Sequence, residues 1–403
     1  MSVWQKSLLP QAIGRLRLRV LHCPTTTGGN PQGLARAERQ LGLESRSVAF
    51  MQNYISYPCD EVLWPRGTSL LIQQIRSWEL LNRARRDFDV IHYNAGSSIL
   101  PWKLSSRWGA PGSLRSVPFS AYVGLCRSVE RSWLGGKVVA VSFQGDDARQ
   151  GDYCRKHFTI SIAHETGSDY YTAESDEATR QQIERFDEIA DLIYAVNPDL
   201  LWVLPKRARF VPYAHLDITN WLPVAKETPS APMVLHAPSH RGAKGTRYIV
   251  EAVSRLKSEG VPLEFVLVED ISNAEARKLY ERADLVVDQL LVGWYGGFAV
   301  EAMALGKPTI CYLRQSDFVF LPEDMRSELP LIVATPADIY AVLREWLVHR
   351  RGEFQMRGRI SRRYVERWHD PLRIASDLKA DYERIASSKR VMGGLPAAPT
   401  ASN

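Results

Sequence analysis

The run richest in residues that could do chemistry is 288–308, DQLLVGWYGGFAVEAMALGKP. An apolar stretch over 283–290 predicts a buried strand ending here. Gly293, Gly296 and Gly297 predict a tight turn. A short helix is expected from about Phe298, with Glu301 in its first turn and a stop at Gly306 ahead of Pro308. Glycines admit positive φ and let backbone approach a ligand closely. The first turn of a helix offers unpaired N–H groups to an anion. A carboxylate there accepts hydrogen bonds from sugar hydroxyls. Together these parts suit a phosphorylated sugar compound.

A second set follows the strand expected at 233–237. The loop HAPSHRGAKGT, 236–246, carries Arg241 and Lys244, and Thr246 can cap the next helix. Two cations beside a helix N-terminus make a diphosphate clamp, arginine as a bidentate fork and lysine as a point charge. GAKGT is not a phosphate-binding P-loop, because Lys244 is followed by Gly245 and Ala243 stands where glycine is needed. Read alone, the loop is a solvated basic turn.

The first half offers weaker candidates. After strand 16–23, PTTTGGNPQGLARAERQLG places Gly28, Gly29 and Gly33 around the start of an amphipathic helix, with Leu34, Leu41 and Leu43 toward a sheet. The spacing is not the dinucleotide fingerprint. FQGDDARQGDYC, 143–154, puts Asp146 and Asp147 at the head of an expected helix, where they either cap it or contact a sugar hydroxyl. No carboxylate or histidine with ligand spacing joins them, so no metal site is expected. His92 sits inside an apolar strand and reads as a core histidine. His164-Glu165 lacks the second histidine of a zinc-protease motif.

The elements that must position these loops alternate along the chain. Strands are expected at 16–23, 47–51, 89–94, 138–143, 192–196 and 210–213, then at 233–237, 264–268, 285–289, 309–313 and 331–334. Helical patterns separate them, clearest at 246–259, 274–282 and 298–305. That alternation predicts parallel sheets with crossover helices. The proline-rich WLPVAKETPSAP reads as a linker. The fold class is therefore α/β, with two facing Rossmann-like doubly wound domains and a ligand cleft at the carboxyl ends of their strands. The expected division is 1–212, a linker at 213–231, 232–360, helices at 361–388 and a disordered tail at 389–403.

A chain of 403 residues is long for one core and suits two. An apolar fraction of 45% with 24% charged residues is ordinary for a soluble globular protein. The net charge of +6 favours anionic partners. No nucleic-acid motif appears and the basic residues are dispersed, so nucleic acid is not an expected partner. Five scattered cysteines without metal or redox spacing suggest a reducing compartment. No signal sequence or membrane-spanning run is evident, which predicts a cytoplasmic protein whose membrane contact, if any, is peripheral at the inner membrane surface. The stretch 102–137 mixes Arg, Lys, Trp, Leu and Phe. It reads either as a surface for anionic lipid and a lipid-linked acceptor or as a solvated helix with packed arginine stems.

From 232 to 313 these motifs resemble the nucleotide-sugar-binding domain of GT-B fold glycosyltransferases of the large retaining family called GT4; the rest of the chain matches loosely. That family has a basic pair after the first strand of this domain, here Arg241 and Lys244. It also has two glutamates with seven residues between them around a glycine-rich turn, followed by EAMA-G-P. Glu301-Ala302-Met303-Ala304, Gly306 and Pro308 match the second half, while Gly293 stands at the first glutamate's position. The resemblance implies that Glu301 binds the donor's ribose, that Arg241 and Lys244 neutralise its diphosphate, and that Gly296, Gly297, Phe298 and Ala299 approach the donor sugar. It implies that the Gly28–Gly29 loop closes over the donor, and that the chain end packs back across the hinge. Asp288 can stand in for the missing glutamate or simply end its strand, and Asp146 and Asp147 are candidates for sugar or acceptor contact. The expected activity is metal-independent, retaining glycosyl transfer from a nucleoside diphosphate sugar, with no tightly bound cofactor, to a glycan or lipid-linked hydroxyl in polysaccharide or glycoconjugate assembly. A non-catalytic sugar-nucleotide-binding or scaffold protein, or a phosphorylase or epimerase of the same fold, are the alternatives.

Overall fold

The computed structural model describes residues 17–52, 57–100, 117–223, 227 and 229–391. The first lobe contains, in chain order, β1 (Arg19–Cys23), α1 (Asn30–Gln40), β2 (Glu44–Ala49), β3 (Glu61–Val62), α2 (Leu70–Asp87), β4 (Val90–Asn94), α3 (Val117–Leu134), β5 (Val138–Phe143), α4 (Gly151–His157), α5 (Ile162–Glu165), α6 (Ala173–Ile189), β6 (Leu192–Ala195) and β7 (Arg209–Phe210). The second contains β8 (Met233–His236), α7 (Arg241–Lys244), α8 (Thr246–Ser258), β9 (Glu264–Leu267), α9 (Asn273–Arg282), β10 (Leu285–Val287), α10 (Gly297–Ala304), β11 (Thr309–Cys311), α11 (Glu323–Ser327), β12 (Ile332–Val333) and α12 (Ile339–Arg344). Two long helices close the described chain, α13 (Phe354–Trp368) and α14 (Pro371–Val391).

Both sheets are parallel, in the orders β3-β2-β1-β4-β5-β6-β7 and β12-β11-β10-β8-β9. Every residue of β4, β5 and β8 is buried, as two covered faces require. Alternate residues serve the two faces. Leu21, Ile91, Val139 and Phe143 pack with side chains of α2, α3 and α6. Val20, Val90, Val138 and Ala140 pack with α1 and α14. In the second lobe Leu235, Val286 and Cys311 meet α9, α10 and α13, while Val234, Leu285 and Val287 meet α8 and α12.

Strand order reverses between β1 and β4 in the first sheet and between β8 and β10 in the second. Such switch points open a crevice beyond the strand ends. The loops that follow β1, β8 and β10 carry most of the candidate residues.

The helix termini follow local rules. α10 ends with Gly306 at φ +70. Gly306 N–H donates to Met303 O and Lys307 N–H to Ala302 O, both at 3.0 Å, the paired bonds of a Schellman stop. α9 opens on a capping box, in which Ser272 N–H donates to Glu275 Oε2 at 3.0 Å while Ser272 Oγ accepts from Glu275 N–H at 3.3 Å.

α14 lies on the first lobe, against α1 and β5. Tyr382 OH meets His92 Nδ1 at 2.6 Å, and His92 Nε2 meets Ser142 Oγ at 2.7 Å. Burial holds His92 well below the ordinary histidine range. Lys389 pairs with Asp191 at 2.7 Å, so 389–391, expected in a disordered tail, form the last turn of this helix; 392–403 lie outside the described residues. The expected strands all occur within a few residues of their predicted limits, although residue 16 is outside the described set. β3 was not foreseen. It pairs only Glu61 and Val62 with Val48 and Ala49, too short a run to show alternation. No helix among the described residues is long and apolar enough to cross a membrane. Of the expected acceptor stretch, 101–116 lie outside the described residues, and most of the remainder forms α3.

Candidate functional site

The second-lobe switch point is built around a buried histidine. His236 Nδ1 faces Val287 O at 2.8 Å and its Nε2 faces Thr246 Oγ1 at 2.9 Å. A carbonyl partner requires the proton on Nδ1, so Nε2 accepts from the threonine hydroxyl. Burial lowers His236 to about 4 and keeps the ring neutral. Thr246 therefore spends its hydroxyl on His236 rather than capping α8, whose N-cap is Gly245 at φ +74. His240 caps the short α7, with Nδ1 accepting from Ala243 N–H at 3.1 Å.

Lys244 leaves the end of α7 toward the glycine loop. Its Nζ contacts Gln289 Oε1 and lies 3.5 Å from Asp288 Oδ1. β10 stops at Val287, and Asp288 turns beneath the loop to accept from Gly296 N–H at 2.7 Å. A Cβ on Gly296 would stand 3.2 Å from Lys244 Nζ, so glycine is what lets the ammonium lie against this backbone. Lys244, Asp288 and the N-terminus of α10 thus form one unit. Arg241 does not join it. Its side chain is 65% exposed and pairs with Glu269, Nε to Oε1 at 2.8 Å.

Gly293, at φ +94, has no space for a side chain. A Cβ there would lie 2.7 Å from Arg314 Cζ. Arg314 spans the lobes. It pairs with Asp317 at 3.0 Å, donates to Ile160 O at 2.9 Å and stacks 3.7 Å from the Phe158 ring centroid. Its guanidinium fills the space that a side chain at position 293 would need.

α10 starts at Gly297, one residue earlier than expected, which places Glu301 just past the first turn. The carboxylate is buried and already engaged. Oε1 accepts from Tyr57 OH at 2.9 Å and from Asn273 Nδ2 at 2.9 Å, and His215 Nε2 lies 3.5 Å away. One oxygen therefore gathers a first-lobe residue, the start of α9 and the interlobe linker. Phe298 packs on Tyr280 with ring centroids 4.8 Å apart, and Ala299 is fully buried. Ala299 can therefore offer a ligand only backbone, while the ring of Phe298 is partly exposed.

Across the cleft, Gly28 and Gly29 are left-handed, at φ +59 and +70, and lead into α1 with no side-chain cap. Tyr57 lies over Gly29, where a Cβ would stand 2.8 Å from its ring. Asp147 binds its own turn, Oδ1 accepting from Gln144 N–H at 2.9 Å and Gly145 N–H at 2.6 Å, while burial raises its carboxyl to about 6. Asp146 accepts from Tyr170 OH and Tyr171 OH, each at 2.6 Å, and from Arg149 at 2.9 Å. Neither aspartate caps α4, whose N-cap is Gln150. His164 bonds to Phe158 O at 3.0 Å.

Several buried polar groups near these loops have atoms without hydrogen bonds among the described residues: both side-chain amide atoms of Gln32 and of Gln144, and both ring nitrogens of His215. Of these, Gln144 Oε1 stands 3.5 Å from the Cβ position of Gly28 and His215 Cε1 3.4 Å from that of Gly297. The arrangement offers one ammonium, two uncapped helix N-termini and a hydroxyl-accepting carboxylate. That is chemistry for a molecule with anionic and hydroxyl-bearing parts. Tyr57, Asn273 and His215 were not foreseen. They come from a loop, a helix start and the linker, and no local motif marks them.

No protein-family model matches the chain, and no curated protein matches it in sequence. Solved structures do match. Sucrose-phosphate synthase from Thermosynechococcus elongatus is 16% identical, with 92% of this chain and 99% of that one covered at a TM-score of 0.54. HepE of Anabaena, solved in complex with UDP-glucose, is 11% identical over 92% and 100%, with a TM-score of 0.54. The catalytic domain of starch synthase IV from Arabidopsis thaliana, bound to ADP and acarbose, is 11% identical over 92% and 99%, with a TM-score of 0.56. At these identities the likeness is one of fold: this chain has the two-lobed, Rossmann-like GT-B architecture of these structures.

Proposed function

We propose that this chain transfers a glycosyl group from a nucleoside diphosphate sugar to a hydroxyl acceptor, with retention at the anomeric carbon. The observation that carries the reading is Lys244 held by Asp288 and Gln289 against the N-terminus of α10, one turn ahead of Glu301. An ammonium and free helix N–H groups suit a diphosphate, and Glu301 suits the ribose hydroxyls. The fold shared with structures solved with UDP-glucose and with ADP supports the same assignment.

In this reading the bond between the anomeric carbon and the diphosphate oxygen breaks, the acceptor oxygen bonds that carbon, and the acceptor proton passes to the leaving diphosphate. Lys244 stabilises the charge that grows on the leaving group. Arg241, paired with Glu269 on the outer face of the loop, adds a weaker, solvent-screened attraction for the donor. No metal is then required. Backbone at Gly28 and Gly29 closes over the donor, and Asp146 and Asp147 shape the facing loop. The acceptor is a glycan or lipid-linked hydroxyl met at a membrane surface.

Gly293 favours a second reading, a binder of sugar nucleotides without turnover. Chromatography of UDP-, ADP-, GDP- and dTDP-sugars incubated with the protein decides between them. Slow release of free nucleoside diphosphate by the wild type, abolished in Lys244→Ala, is expected. Binding without release selects the second reading, and the absence of both removes the two together.

A further inference from the structure

Among the described residues of the interlobe linker, His215 is the one whose side chain is buried, polar and unsatisfied at both ends. The side chain is 1% exposed, and neither Nδ1 nor Nε2 makes a hydrogen bond among the described residues. Leaving such a group unsatisfied is costly, and the surrounding packing holds it in place. Arg36 donates to His215 O at 3.0 Å, and Asn30 Oδ1 accepts from the preceding Ala214 N–H at 2.7 Å. The ring meets Tyr213 and Tyr57 edge-on, at centroid distances of 6.0 and 6.3 Å.

The orientation of the ring gives it a purpose. A Cβ on Gly297 would stand 3.4 Å from His215 Cε1 and 3.6 Å from Nε2. The Cε1–Nε2 edge of the ring therefore faces the first residue of α10. That helix has no side-chain cap, and its first N–H groups are donors open to an anion. On the other side of the same turn, Lys244 Nζ lies against Gly296. Two consecutive glycines are therefore flanked by two nitrogen bases from different parts of the chain. Glu301 places its Oε1 3.5 Å from Nε2. Nε2 thus lies beside both Glu301 Oε1 and the glycine turn, where an N–H is a donor for the carboxylate or for an anion seated at the turn.

We propose that His215 is a second phosphate-binding residue, which with Lys244 and the α10 N-terminus holds the diphosphate of the ligand. It takes the inward position that Arg241, turned out to Glu269, does not occupy. This rests on the nucleotide-sugar reading for the identity of the ligand, but the anion seat itself does not.

Calorimetric titration tests it, using nucleoside diphosphates, the matching monophosphates and inorganic pyrophosphate on the full chain, His215→Ala and His215→Gln. Equal thermal unfolding midpoints establish that the variants fold. The expected result is a loss of about tenfold to a hundredfold in diphosphate and pyrophosphate affinity in His215→Ala. Monophosphate affinity should stay near wild type, and His215→Gln should recover part of the loss. Equal loss for monophosphate and diphosphate, or no loss, overturns the proposal and leaves His215 a packing residue. Pyrophosphate binding that depends on His215, without any nucleotide binding, keeps the anion seat and removes the nucleotide-sugar reading. A wild type that binds neither removes both. If His215→Ala fails to fold, His215→Gln carries the comparison alone, and unchanged discrimination between monophosphate and diphosphate overturns the proposal.

Discussion

Tyr57 reaches from the first lobe to donate its hydroxyl hydrogen to Glu301 Oε1 at 2.9 Å, with its ring lying across Gly29. A phenol on a carboxylate makes the same bond that a sugar hydroxyl would make. In the proposed reaction the two compete, and the phenol must yield. Tyr57→Phe keeps the ring over Gly29 and removes the competitor. Nucleotide affinity should rise by about threefold to tenfold, the worth of one ordinary hydrogen bond, as read by calorimetry. A fall of similar size would mean that the hydroxyl completes the site instead.

Lys244 and Arg241 are close in sequence and differ in position. Lys244 is held at the glycine loop by Asp288, whereas Arg241 is solvent-exposed on Glu269. Lys244→Ala should weaken nucleoside diphosphate binding by about tenfold or more, and Arg241→Ala by markedly less. The dissociation constants of the two variants check this, and equal effects would place Arg241 inside the closed site.

Gly293 combines a left-handed backbone with Arg314 pressed against it. Gly293→Ala introduces strain of about 1–3 kcal/mol and displaces the guanidinium from the interlobe contact. Urea unfolding should show that loss. An unchanged midpoint would contradict the packing described at this turn.

Asp317 sits between Arg314 and Trp202, which donates its ring N–H to Oδ1 at 2.9 Å. Burial pushes its carboxyl up to about 6; Arg314 opposes the shift and Asp199 adds to it. The native state therefore holds this proton more tightly than the unfolded chain does. The contribution of Asp317 to stability is full below about pH 4 and is lost as pH rises through about 6. Relative to Asp317→Asn, the wild type should lose on the order of 3 kcal/mol between pH 4 and pH 7. Parallel stability profiles for the two proteins would contradict this.

The fold was legible because its signals are local. Each buried strand is a short apolar run, and Gly306 with Pro308 marks the end of α10. The glycine loop and Lys244 were legible for the same reason. What encircles Glu301 was not, since Tyr57, His215 and Asn273 converge only through packing of both lobes and the linker. The clamp expected of Arg241 and Lys244 set two cations beside a helix N-terminus. α7 turns one outward and the other inward. Asp146 and Asp147 were expected at a helix head, but Asp147 closes the preceding turn, Asp146 is taken by Tyr170, Tyr171 and Arg149, and the helix starts at Gly151.

The most direct test of the nucleotide-sugar cleft is a thermal-shift and calorimetric screen of nucleoside diphosphates and their sugars on the wild type, Lys244→Ala and Glu301→Ala. One nucleotide at a hundred times its dissociation constant should stabilise the wild type by about 2.7 kcal/mol, and both variants should lose that gain. Stabilisation that survives in both variants, or its absence from the wild type with every nucleotide, would contradict the assignment of this cleft.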